Sequence, residues 1–93
     1  VRTRMLNVAH FVYVLGSVNK KNNRTYVGWT NDLSQRLAAH NSGTGARSTR
    51  GRSWLILYAE RFGTRTEAMS REWYLKKDRK FRLILRSNLK YFV

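Results

Sequence analysis

Two runs of β-branched and aromatic residues, 10–17 (HFVYVLGS) and 24–30 (RTYVGWT), flank the polar stretch Asn19-Lys20-Lys21-Asn22-Asn23. Side chains of that shape favour pleated strands, and a short turn-forming connection leaves antiparallel pairing as the natural arrangement. The rest of the chain must therefore be organised around a hairpin. Asn31 or Asp32 can then cap a helix whose apolar residues Leu33, Leu37 and Ala38 recur at helical spacing until Asn41-Ser42-Gly43 stops it. Residues 43–53 (GTGARSTRGRS) hold three glycines, three arginines and hardly an apolar side chain, which predicts a surface loop. Residues 54–62 (WLILYAERF) are nearly continuous in apolar character, as in a buried central or well-covered strand. Thr64 and Glu67 read as a capping box opening a helix through Ala68, Met69, Trp73 and Leu75 to about Lys80. A further short helix is expected over 81–86. The order β-β-α-β-α-α predicts an α+β fold, a small three-stranded antiparallel sheet flanked by helices.

At 93 residues there is room for one core, so residues 1–93 are expected to form a single domain, with 1–7 and 88–93 as frayed ends. The absence of cysteine excludes a disulfide framework and a thiolate zinc site, which makes the cytoplasm the default location. The strongest apolar run, residues 54–59, is far shorter than the roughly 20 residues a membrane span needs. No signal peptide is expected either, since Asn7 and His10 interrupt the apolar stretch that follows Arg2 and Arg4. Nineteen Lys and Arg against five Asp and Glu give +14, well beyond the roughly 2 to 8 charges that serve solubility in a small domain. Such a chain repels itself unless a polyanion is near, so the expected partner is nucleic acid and the expected place is the nucleoid.

A few residues stand out against this background. At about 100° per residue, Arg36 and His40 share one edge of the inward stripe set by Leu33 and Leu37. A guanidinium at the margin of a core with an imidazole one turn away can clamp a phosphate. It can equally be an Arg stem lying on the sheet and a His finishing a helix end, and the pattern alone favours that structural role. In the later helix, Glu72 falls between Ala68, Met69 and Leu75, an unusual place for a carboxylate, which there needs either a cationic side chain or a metal ion. Tyr13 and Tyr26 sit mid-strand, where tyrosine most often serves packing.

The segments Phe11-Val12-Tyr13 and Tyr26-Val27-Gly28, then residues 30–37 (TNDLSQRL), His40-Asn41, the loop 43–50, residues 54–58, Glu60, Glu67-Ala68, Glu72 and Lys76 follow one another in an order that resembles the GIY-YIG nuclease superfamily. The resemblance covers about residues 8–86 and is closest to small stand-alone bacterial members, similar to the catalytic domain of the excision-repair endonuclease. It implies a metal-dependent endonuclease that hydrolyses DNA phosphodiester bonds; with no second domain expected to choose a sequence, the enzyme is expected to be structure-tolerant and linked to repair or recombination. Tyr26 would be the general base or water-orienting hydroxyl, with Tyr13 beside it. Arg36 would stabilise the charged phosphate, His40 would assist by hydrogen bonding or proton transfer, and Glu72 would hold one divalent cation, Mg2+ or Mn2+. Two departures stand out: Phe11 replaces the first glycine of the motif, and the Asn some members carry about three turns beyond the metal Glu is absent, the nearest being Asn88.

Basic residues expected on the nucleic acid are Lys20, Lys21 and Arg24 near the hairpin turn, Arg47, Arg50 and Arg52 in the loop, and Lys76 on the helix. Such groups bind backbone phosphates without reading sequence. Branched, nicked or flapped DNA is the expected substrate; RNA stays open, since nothing recognises or rejects a 2′-hydroxyl. The rival reading is a non-catalytic nucleic-acid-binding module of the same fold. Such a module has no use for a semi-buried carboxylate that repels phosphate. No residue argues for a membrane or for a particular protein partner.

Overall fold

In a computed structural model of the chain, residues 8–18 and 22–91 are described. Three strands, β1 (His10–Val18), β2 (Asn23–Thr30) and β3 (Leu55–Phe62), form one antiparallel sheet in the order β2-β1-β3. Three helices, α1 (Leu33–Ser42), α2 (Arg65–Lys77) and α3 (Arg79–Ser87), complete the α+β fold in the predicted order. Two short 3-10 turns, Arg47–Thr49 and Asn88–Tyr91, are added to it.

Strand alternation sends the side chains of β1 to two opposite cores. Val12 and Val14, with Val27 of β2, pack under Ala68 and Leu75 of α2, joined by Phe81 and Leu85 of α3. Tyr13 and Leu15 point the other way and pack with Trp54, Tyr26, Leu33 and Leu37, the last two from α1. With both faces covered, Val12 to Leu15 are all essentially solvent-free.

This reverses one expectation. The central buried strand is β1, whereas β3 lies at an edge and alternates between half-buried and exposed residues, with Ile56, Ala59 and Arg61 facing outward. Leu57 is the unpaired residue of a bulge opposite Val14 and Leu15, which breaks the strand's alternation and leaves Leu57 and Tyr58 both half-buried.

Capping follows the sequence closely. Asp32 accepts from the Gln35 N–H at 3.0 Å, and Thr64 pairs with Glu67, its Oγ1 accepting the Glu67 N–H at 3.2 Å and donating to Oε1 at 2.9 Å. The second helical segment breaks at Asp78 and not near Lys80. Asp78 ends α2 and caps α3, its Oδ1 accepting from the Phe81 N–H at 3.1 Å. Met69 and Trp73, counted among the apolar residues of that helix, are exposed. The tail also differs from a frayed end over its described part. Residues Asn88–Tyr91 turn back, and Leu89 is fully buried against Gly16 of β1.

Candidate active site

The Tyr13 ring lies across the sheet toward its cross-strand partner Gly28, where a Cβ would sit 2.5 Å from the phenol oxygen. Only a glycine at that position lets the ring reach over β2. There it meets His40, fully buried near the end of α1, with a hydrogen bond of 2.8 Å between the phenol oxygen and Nε2. Tyr26 on β2 joins the same cluster, its ring centroid 4.8 Å from that of His40 and 6.3 Å from that of Tyr13. Arg36, one turn before His40, brings its guanidinium to both phenols. Four of the residues singled out from the sequence are therefore neighbours.

A fifth neighbour, Thr49, is not among the residues singled out from the sequence. His40 Nδ1 lies 2.9 Å from Thr49 Oγ1, and the Thr49 hydroxyl donates to the Ala46 carbonyl at 2.8 Å. A hydroxyl has one proton, so Thr49 can only accept from the imidazole. The Nδ1 atom must then carry the ring proton, Nε2 is left as an acceptor, and Tyr13 is the donor to it. Gly45 makes the approach possible, since a Cβ there would lie 2.5 Å from His40 Nδ1. In the sequence, Thr49 is one polar residue in an Arg- and Gly-rich loop; its only signal is that the loop holds Thr-Gly-Ala-Arg-Ser-Thr shortly after the histidine.

The electrostatics favour the neutral forms that this arrangement requires. Burial pushes the Tyr13 phenol above its ordinary value; Arg36 pulls it down, while Tyr26 and Glu72 push it further up. Burial lowers the His40 imidazole below 6.5, helped by repulsion from Arg36. At neutral pH both groups are uncharged. The hydrogen bond to Tyr13 in turn raises the Arg36 guanidinium, which stays a fixed positive charge beside the phenols.

Glu72 is distinguished by elimination. Asp32 and Asp78 cap helices, Glu67 completes the capping box, and Glu60 is held by Tyr58 and Arg71, the last at 3.0 Å. Glu72, one-fifth exposed at its side chain, has an ion-pair partner in Lys76, at 3.6 Å on the next turn. That ammonium is more than half exposed and can swing away. No cluster of three or more His, Cys, Asp or Glu exists among the described residues, so a zinc site or a calcium cage does not fit. One accessible carboxylate fits a small hard cation completed by water and a substrate phosphate. Both alternatives open for Glu72, a lysine and a metal, remain physically compatible with this geometry.

Of the expected phosphate-binding residues, Arg24 lies on β2, Arg47 and Arg50 lie together at the 3-10 turn of the loop, and Lys20 and Lys21 lie outside the described residues. Arg52 is a clasp: it donates to Ser17 Oγ, Asn22 Oδ1 and the Asn22 carbonyl, all at 3.0 Å, and so ties the loop to the hairpin. Trp54 is core, its Nε1 donating to the Thr49 carbonyl at 2.8 Å, and Trp29 is half-buried, with the His10 ring tilted against it and the Arg65 guanidinium over its ring.

Residues 9–84 match the family model described as the GIY-YIG catalytic domain. A UPF0213 protein of Clostridium perfringens is 42% identical over 85 residues, spanning 87% of this chain and 88% of its own. The UPF0213 protein YazA of Bacillus subtilis is 46% identical over 69 residues, 73% of this chain and 67% of its own. A UPF0213 protein of Lactococcus lactis subsp. cremoris is 40% identical over 86 residues, 87% and 85% of the two chains. No solved structure matches.

Proposed function

Because the chain belongs to the GIY-YIG catalytic-domain family, we propose that it is a single-domain, metal-dependent endonuclease that hydrolyses DNA phosphodiester bonds, with nicked, flapped or branched duplexes as substrates in repair or recombination. The observation that carries this reading is the Tyr13–His40–Thr49 hydrogen-bond chain beside Arg36. A buried, neutral imidazole with its acceptor nitrogen turned to a phenol can take the phenol's proton as the phenol receives another. A binding surface has no need of such an arrangement.

A free phenol with a pKa near 10 is a poor base at neutral pH, and burial makes Tyr13 harder still to ionise. The chain of hydrogen bonds removes that difficulty. As a water molecule attacks phosphorus, its proton passes to the Tyr13 oxygen while the Tyr13 proton moves to His40 Nε2. No phenolate forms. The imidazolium that results keeps its Nδ1 proton on Thr49. Tyr26, half-buried in the same cluster, orients the water, and Arg36 balances the charge that grows on the phosphate oxygens. A divalent cation held by Glu72, magnesium or manganese, would supply Lewis-acid stabilisation of the phosphate and the leaving oxygen.

The test is incubation of the purified chain with nicked, flapped and branched duplexes in magnesium or manganese. Cleavage that chelation stops is expected. Intact DNA under every metal and substrate condition overturns the reading in favour of a binding module.

A further inference from the structure

On the α2 and α3 side of the sheet lies a cleft of about 90 Å³ lined by Thr25 of β2 and by Arg79, Arg82, Leu83 and Arg86 of α3. The three arginines recur at spacings of three and four, so they share one helical face. Two of them are held in place. Arg82 donates from Nε to the Leu75 carbonyl at 3.1 Å and from Nη2 to the Lys76 carbonyl at 2.8 Å, and Arg86 Nη1 reaches the Asn23 carbonyl at 3.4 Å. These bonds use a minority of the five donors each guanidinium carries.

No carboxylate among the described residues forms an ion pair with an arginine of the cleft. Among the described residues the ion pairs are Arg71 with Glu60 and Lys76 with Glu72, and the nearby Asp78 is occupied as the cap of α3. Three arginines lining a concave space large enough for an oxyanion, none of them in an ion pair among the described residues, are suited to phosphate. Thr25 adds a hydroxyl from the edge strand. It directly precedes Tyr26, and side chains alternate across a strand, so the cleft and the candidate site lie on opposite faces of β2 at neighbouring positions.

We propose that Arg79, Arg82, Arg86 and Thr25 form a second phosphate site, which holds the backbone of the nucleic acid where it crosses the β2 edge next to the scissile bond. The proposal rests on the nucleic-acid reading above and adds a binding surface that the hairpin turn and loop do not provide. It does not depend on cleavage.

The experiment measures binding of a flapped duplex by fluorescence anisotropy without metal, over a range of salt. The variant Arg79→Gln/Arg86→Gln spares Arg82, which holds the end of α2. The control Arg61→Gln/Lys80→Gln removes the same charge from exposed residues outside the cleft. The cleft variant should bind at least about tenfold more weakly, and the slope of log K against log salt should fall by about one for each phosphate that is no longer neutralised. The control should stay within about threefold of the parent. Equal weakening of both variants, or parental binding by the cleft variant, overturns the proposal. A chain that binds through the cleft but never cuts removes the nuclease reading and leaves the cleft. A chain that cuts while the cleft variant binds like the parent does the reverse.

Discussion

Tyr13 and His40, 27 residues apart in the chain, are joined by a buried 2.8 Å hydrogen bond in which the phenol donates to Nε2. If the two act as one proton relay, their effects on cleavage cannot add. Tyr13→Phe and His40→Ala should each slow single-turnover cleavage by about 10² to 10⁴. The double variant should be no slower than the worse single one, whereas Tyr26→Phe combined with His40→Ala should lose more than either. Multiplying losses in the Tyr13/His40 pair would show that they act separately.

The same burial predicts a pH-dependent stability. The folded pKa of His40 is lowered below its unfolded value near 6.5, so the unfolded chain takes up the proton first as pH falls. The stabilisation is complete above pH 6.5 and is lost below it, at up to about 1.4 kcal/mol per pH unit, until the folded pKa is reached. Urea midpoints between pH 5 and 7.5 should therefore fall more steeply for the parent than for His40→Gln. Parallel curves would mean that His40 titrates normally.

Thr49 sets the tautomer and touches no reacting atom. Thr49→Val should cost about tenfold in cleavage rate and shift the imidazole 15N resonances toward a mixture of tautomers. Thr49→Ser, which keeps the acceptor, should restore both. A valine variant with parental tautomer and rate would assign Thr49 to packing alone.

Periodicity makes most of the fold legible: the hairpin pattern, the caps at Asp32 and Thr64, and the pairing of Arg36 with His40 all follow from spacing along one element. The failures share a cause. That β3 is an edge strand depends on which strand lies beside it, and a run of apolar residues carries no such information. β1 contains His10, Gly16 and Ser17 and so looks less buried than it is, although Ser17 is almost wholly enclosed. Thr49 is hidden because its role arises from a loop folding back over nine residues onto His40 past Gly45, an approach with no period. Glu72 is visible as a misfit. The sequence marks Asp32 and Glu67 as capping residues but does not say that Glu60 and Asp78 are committed as well.

Glu72 is therefore the carboxylate on which metal-dependent cleavage should hinge. Glu72→Gln preserves the shape of the side chain and removes the charge, and its loss from the exposed pair with Lys76 should change stability by less than about 1 kcal/mol. Single-turnover cleavage of a flapped duplex in saturating magnesium should fall by at least about 10³ relative to the parent, while binding of the same duplex without metal is kept or slightly tightened. Cleavage at the parental rate by a folded Glu72→Gln protein would exclude Glu72 as the residue that holds the metal.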